Sequence, residues 1–203
     1  PHAMEHVHMH LVSAYGNAPF LESLLLFQEV THRLYINAPK PVDGFIEIPA
    51  HTPFPGYESL SRQEQFCATI WYTISNHRLS EKYYSYFSAK NNYVLYFPSR
   101  WKGFVTAKIN AEGNEISFFE VVQGKSVTTD ELSEIMRIRT VTKTADESGS
   151  DTDTSKLIAE GYREYKTNGE KTYYIWASDW DSPLSLTESE LDISFQLITG
   201  RDS

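Results

Sequence analysis

The residues best equipped for chemistry lie in one run, 173–183, which reads YYIWASDWDSP. If it begins as a strand, Tyr174 and Trp176 share one face and Tyr173 and Ile175 the other, and the chain then turns through Asp179, Trp180 and Asp181. Aromatic rings beside carboxylates suit an amine, a sugar or another polar ligand, held by cation–π or stacking contacts and a charged anchor. The same residue types also serve a plainer role, with Trp176 in a core and the two Asp forming a turn. Arg100 and Trp101 supply a complementary cation and stacking ring, and Tyr86 and Tyr93 add rings from a second aromatic stretch. The candidate ligand-binding set is therefore Tyr86, Tyr93, Arg100, Trp101, Tyr174, Trp176, Asp179 and Trp180.

Other constellations carry less. Asp179 and Asp181, or either with Glu164, could form a glycosidase carboxylate pair with Trp180 as a sugar platform, but sequence spacing does not set their separation. His2, His6, His8 and His10 cluster near the start, yet on a helix only His6 and His10 share a face, two ligands where a structural metal needs about four. Asp146, Glu147, Asp151 and Asp153 depart from the spacing of a calcium-binding loop and read as a solvated segment. There is no G-x-S-x-G, Gly-rich phosphate loop, H-E-x-x-H or C-x-x-C. No catalytic residue, cofactor or metal is assigned.

Composition narrows the class. A formal net charge of -9 and the absence of any basic run argue against nucleic acid or an anionic membrane surface as partner. The longest apolar run, residues 24–27, is far short of the ~18 needed to span a bilayer. With Cys67 as the only cysteine, an intrachain disulfide is impossible, and its apolar neighbours suggest an inert thiol. Thirteen Tyr give the chain many side chains with an apolar body and a polar tip, suited to a β core or to surfaces that meet ligands.

The elements that must position these residues follow from periodicity. Residues 1–4 read as an expression remnant. Leu11, Leu21, Leu24, Leu25, Val30 and Leu34 recur near every 3.6 residues, predicting a helical segment over 5–36 interrupted at Gly16 and Pro19. Five of the nine prolines fall in 37–57, an extended connection. Ser59 or Ser61 as the cap, with Glu64 at capping-box spacing from Ser61 and the stripe Phe66, Ile70 and Ile74 after it, predict a helix ending near 76–79. Three hairpins follow. The first has arms 83–88 and 93–97 around residues 89–92, the second spans 104–122 with its turn at 112–114, and the third turns at Asn168-Gly169, the dipeptide that a type I′ turn prefers. Thr128 or Thr129 is expected to cap a short helix over 130–137, residues 185–190 form a turn or short helix start, and 191–198 alternates as a last strand. Hairpins in series with helices between them predict an α+β architecture, an antiparallel sheet with helices on one face.

The run Glu81-Lys82-Tyr83-Tyr84 … Asn91-Asn92-Tyr93-Val94-Leu95-Tyr96-Phe97-Pro98, preceded by QFCATIWYTI, resembles the periplasmic Cache/PAS-like sensor domains of bacterial membrane signalling proteins, the sensor histidine kinases and diguanylate cyclases. The resemblance covers about 60–200 and implies a central antiparallel sheet with a long N-terminal helix and flanking helices. On that basis residues 5–58 are an N-terminal helical segment and Pro-rich connection, and 59–203 the sensor domain. It implies a non-catalytic sensory domain of a transmembrane receptor, periplasmic and tethered to the inner membrane through flanking segments. Such a domain detects a small molecule or a protein partner, is a homodimer in the full receptor, and signals to a kinase or cyclase module. The alternative is a secreted carbohydrate-active enzyme or carbohydrate-binding protein.

Overall fold

Strand-forming residues dominate this chain wherever its structure is described. The computed structural model describes residues 47–75, 78–128, 131–143, 150–178 and 182–198, and its elements lie in one unit, Pro41–Ile198. They form two five-stranded antiparallel sheets. The first has the order β1-β2-β3-β4-β10, from Glu47–Pro53, Cys67–Ser75, Arg78–Ser88, Tyr93–Tyr96 and Phe195–Leu197. The second has the order β5-β6-β7-β9-β8, from Val105–Ile109, Glu115–Glu120, Glu134–Thr142, Lys171–Ala177 and Arg163–Asn168. The described helices are short: α1 (Ser150–Ala159), α2 (Glu188–Ser194) and a 3-10 turn, Ser99–Trp101, between β4 and β5. No helix among the described residues is long and apolar enough to cross a membrane.

The expected α+β architecture with a PAS/Cache-like single sheet is therefore corrected to a mostly β fold of two sheets. The long N-terminal helix expected over 5–36 lies outside the described residues. Three local expectations change with it. The helix expected to run on from Ser61 is a single turn, closed by Glu64 N–H donating to the Ser61 carbonyl (2.9 Å) and Ser61 Oγ to Glu64 (2.6 Å). It is followed by β2, which pairs on both sides with β1 and β3. The fourfold spacing of Phe66, Ile70 and Ile74 fits period 2 as well as 3.6, and the β-favouring run of Thr69 to Ile74, with a neighbour on each edge, decides for strand. The helix expected over 130–137 gives way to β7, because Met136, Ile138 and Thr140 alternate with Arg137, Arg139 and Val141. The last strand shrinks to Phe195–Leu197, since Thr187 and Glu190 form a reciprocal capping box that starts α2.

The three hairpins stand where the turns predicted them. Ser88 faces Tyr93 across residues 89–92, Ile109 pairs with Ile116, and Asn168 pairs with Lys171. Pro49 and Pro53 sit in β1, an edge strand that pairs only with β2, where a missing donor costs little.

One core joins the sheets. Tyr93 stacks on Phe195 within the first sheet (centroids 5.0 Å), and Tyr173 of the second meets both edge-on (5.7 and 5.3 Å). Phe118 of β6 contacts Tyr86, Phe97 and Trp101. Polar bonds lock the same junction. Tyr173 OH donates to the Asn91 carbonyl (2.7 Å), and Asn91 Nδ2 donates to Ser88 Oγ and to the Gly113 carbonyl, both 3.0 Å. Asn92, at φ 58°, takes the left-handed turn position that asparagine tolerates, and its carbonyl accepts from Ile198 N–H (2.9 Å). The first hairpin's turn thus fastens the first sheet to the second.

Tyr173→Phe keeps the ring contacts and deletes only the buried bond to Asn91. Urea denaturation is expected to show a loss of about 1–2 kcal/mol, whereas Lys171→Ala, removing an exposed bond to the Lys90 carbonyl, is expected to cost less than about 0.5 kcal/mol. Equal losses would contradict the assignment of the lock to Tyr173.

Candidate ligand-recognition face

The sequence-predicted candidates scatter. Tyr86, Tyr93 and Trp101 belong to the shared core, with Trp101 Nε1 donating to the Leu184 carbonyl (2.6 Å). Arg100 clasps Glu190 through both terminal nitrogens (2.5 and 2.8 Å) and also donates to the Ser185 carbonyl (2.8 Å). Arg100 and Trp101 together pin the segment that leads into α2. Tyr174 is buried with Leu157 and Tyr162. Asp179 and Trp180 lie outside the described residues, as do His6, His10 and the side chains of the acidic segment 146–153. Among the described members of the set, Arg100 and Trp176 are half-buried; Arg100 is taken up by Glu190, and Trp176 stands on an outer face.

That face is the outer surface of the second sheet. Inward Met136, Ile138 and Thr140 of β7 force Arg137 and Arg139 outward. Antiparallel register then sets two rows. Glu115 pairs with Arg139, Arg139 with Tyr174, and Tyr174 with Glu164; beside them, Ser117 pairs with Arg137 and Arg137 with Trp176. Directly paired side chains are close enough to interact, so the register itself assembles the cluster. Helix α1 lies over one side, with Leu157 against Tyr162 and Tyr174. At its end Gly161 takes φ +90°, and a Cβ there would stand 3.3 Å from Trp176 Cδ1. The left-handed backbone is what calls for glycine here, and the close approach to the indole adds to it.

The two arginines are held differently. Arg137 forms a fork with Glu134, its Nε donating at 2.6 Å, while its guanidinium carbon sits 4.8 Å from the centre of the Trp176 ring. The bond to Glu134, the largest cause, raises the Arg137 pKa further. Arg139 reaches Glu115 Oε2 with one nitrogen at 3.4 Å, and its Nε is buried without a partner. Tyr162 OH donates to the same Glu115 oxygen at 2.8 Å. Burial, then the bond to Glu115 working against one from Arg137, pushes the Tyr162 phenol up to about 12, so it stays a donor at neutral pH.

This arrangement is suited to recognition: donors and rings held by paired strands, with Tyr162 just before β8, and among the described residues none aimed at an adjacent nucleophile. Elsewhere Tyr83 donates to Glu47, and burial, with that bond, raises its pKa. Burial also raises the Cys67 thiol. Among the described residues, no group of three or more His, Cys, Asp or Glu side chains could hold a metal ion. Arg137, Arg139, Glu115 and Tyr162 escaped the sequence reading. The signal was there in the alternation of IMRIRTV, obscured by reading the preceding Thr and Asp as a helix start. Comparison with models of known protein families, with curated proteins and with solved structures finds no match for this chain.

Two consequences are measurable. The Arg100 bonds, with those from Thr187, hold the Glu190 carboxyl down to about 2 against an ordinary 4.5. A lowered folded-state pKa contributes stability that is complete above about pH 4.5 and is lost as pH falls through about 2. Because both partners are about a third exposed, the contribution is expected to be about 0.5–1 kcal/mol. Urea midpoints of wild type and Glu190→Gln should converge over that window, and a constant difference would refute the linkage. Gly161→Ala, forced into a left-handed backbone against Trp176, is expected to cost about 1–2 kcal/mol and to shift the indole resonance of Trp176; an unchanged stability and spectrum would show that the approach is not tight.

Proposed function

We propose that this chain is a recognition domain that binds its ligand on the outer face of the second sheet and performs no bond-making chemistry itself. The observation that carries the reading is the juxtaposition of half-buried Trp176, Arg137 4.8 Å from its ring centre, and Arg139 with a buried, unpartnered Nε. Paired strands hold these groups in place, so little ordering entropy opposes a ligand. Buried polar atoms without partners are uncommon in folded proteins, and Arg139, opposite Tyr174 and one pair along the sheet from Trp176, keeps a donor that its contact with Glu115 does not use.

The biological setting we propose is the sensory one suggested by residues 81–98: an extracytoplasmic receptor domain whose occupancy is passed along the chain to an output module. The support for that setting is the residue pattern alone, and the two-sheet architecture replaces the single-sheet scaffold first expected for it. A ligand biases such a receptor only through different affinity for two states, a few kcal/mol being enough.

A thermal-shift screen of organic acids, phosphate compounds, sugars and amines tests the binding face. At a concentration 100-fold above its dissociation constant, a ligand is expected to add about 2.7 kcal/mol, or roughly 5–10 °C for a domain of this size. Trp176→Ala is expected to abolish most of that shift. Hits that stabilise wild type and Trp176→Ala equally would place binding elsewhere and remove the proposal.

A further inference from the structure

Resting on that reading of the face, we infer that the group it recognises is an oxyanion, a carboxylate or phosphate, and that Glu115 occupies the oxyanion's place in the free protein. The acids and rings of 173–183 suggest an amine or a sugar, and the geometry argues otherwise. An amine would seek the face of Trp176, where Arg137 already stands 4.8 Å from the ring centre, secured by its fork to Glu134. Displacing a tethered, bidentate guanidinium is unfavourable for a diffusing cation.

Arg139 is in the opposite condition. A guanidinium carries five N–H donors, and among the described residues Arg139 makes one hydrogen bond, to Glu115, 3.4 Å long, against roughly 2.7–2.9 Å for a well-made charge-assisted pair. Its Nε is buried with no partner. Arg100 also has an unpartnered Nε, but its terminal nitrogens bind both oxygens of Glu190 and a carbonyl, which leaves no comparable vacancy. A ligand carboxylate or phosphate could meet Arg139 in the bidentate manner that Glu115 does not achieve.

Tyr162 strengthens the case. Its hydroxyl donates to Glu115 Oε2, the oxygen that Arg139 reaches, so two donors converge on one acceptor position. An oxyanion placed there receives both, and Glu115, whose side chain is 20% exposed, is released toward water. The net charge of -9 opposes an anion at long range, but at physiological salt that field is screened beyond about 8 Å while the contact pair is not. Glu115 then acts as a built-in competitor that weakens binding and sharpens discrimination against neutral ligands.

The test follows the indole resonance of Trp176, identified by its loss in Trp176→Phe, in the full chain titrated with benzoate, inorganic phosphate or benzylamine. Benzoate or phosphate is expected to shift that resonance saturably, the arm that does so naming the source of the oxyanion, and benzylamine to leave it unchanged. Glu115→Gln, removing the competing charge, is expected to tighten anion binding severalfold. Arg139→Gln should weaken it at least tenfold, and Arg139→Lys, which keeps the charge and loses the fork, severalfold with an unchanged circular dichroism spectrum. Lys108→Gln, altering a cation whose ammonium stands over Phe119 on the same sheet, serves as the charge control and should change binding less than twofold. Anion binding that Arg139→Gln leaves intact would overturn the inference. A shift with benzylamine and none with either anion would overturn it while sparing the recognition face. Silence of Trp176 toward all three probes would overturn the oxyanion inference, and the recognition face falls only if the wider thermal-shift screen also gives no Trp176-dependent hit.

Discussion

The structure depends on burying aromatic rings between two sheets. Tyr93 and Phe195 from the first sheet and Tyr173 from the second meet edge-on and stacked, and Phe118 meets Tyr86 and Phe97 edge-on and Trp101 at a tilt. Each such pair adds about 0.5–1.5 kcal/mol beyond the area it buries, and several share a ring, so the contacts reinforce one another. The polar tips are satisfied within this core: Tyr173 bonds the Asn91 carbonyl and Tyr57 the Ala107 carbonyl, both buried. Tyrosine does here what phenylalanine could not, filling the core and tying loops to it.

Inner packing dictates the outer face. Once Met136, Ile138 and Thr140 turn inward, period-2 geometry leaves Arg137 and Arg139 no other side. A slip of one residue in β7 would bury both guanidiniums, so the register is strongly specified and so is the placement of the arginines beside Trp176 and Glu115. The outer face of the second sheet is thus a by-product of the core, rigid because the core is rigid. That suits a binding surface, which loses affinity when its groups must be ordered on contact.

Several residues that invite a functional reading are structural fasteners. Arg100 and Trp101 pin residues 184–190, and Asn91 and Asn92 fasten the first hairpin's turn to the rest of the molecule. The same chemistry, a planar cation or an amide with several donors, serves a ligand or a carbonyl equally well. Only the position of the acceptor separates the two roles. Arg139 stands apart because its acceptor is too far away and one donor has none.

The sequence alone determined the hairpins, because a turn and its flanking arms are local: Asn168-Gly169, residues 89–92 and the turn at 112–114 all lie where residue types place them. It also determined that Trp176 and Tyr174 share a face. It could not determine β2 or β7 as strands, since an apolar spacing of four suits both periods and capping signals at Ser61 or Thr128 act over one turn only. Those choices are made by neighbouring strands that supply the missing hydrogen bonds, with β2 between β1 and β3 and β7 between β6 and β9. Tertiary structure likewise decided which cation was committed and which was left with donors to spare. That depends on distances between strands remote in sequence, Glu115 to Arg139 and Tyr162 to Glu115, which no local pattern encodes.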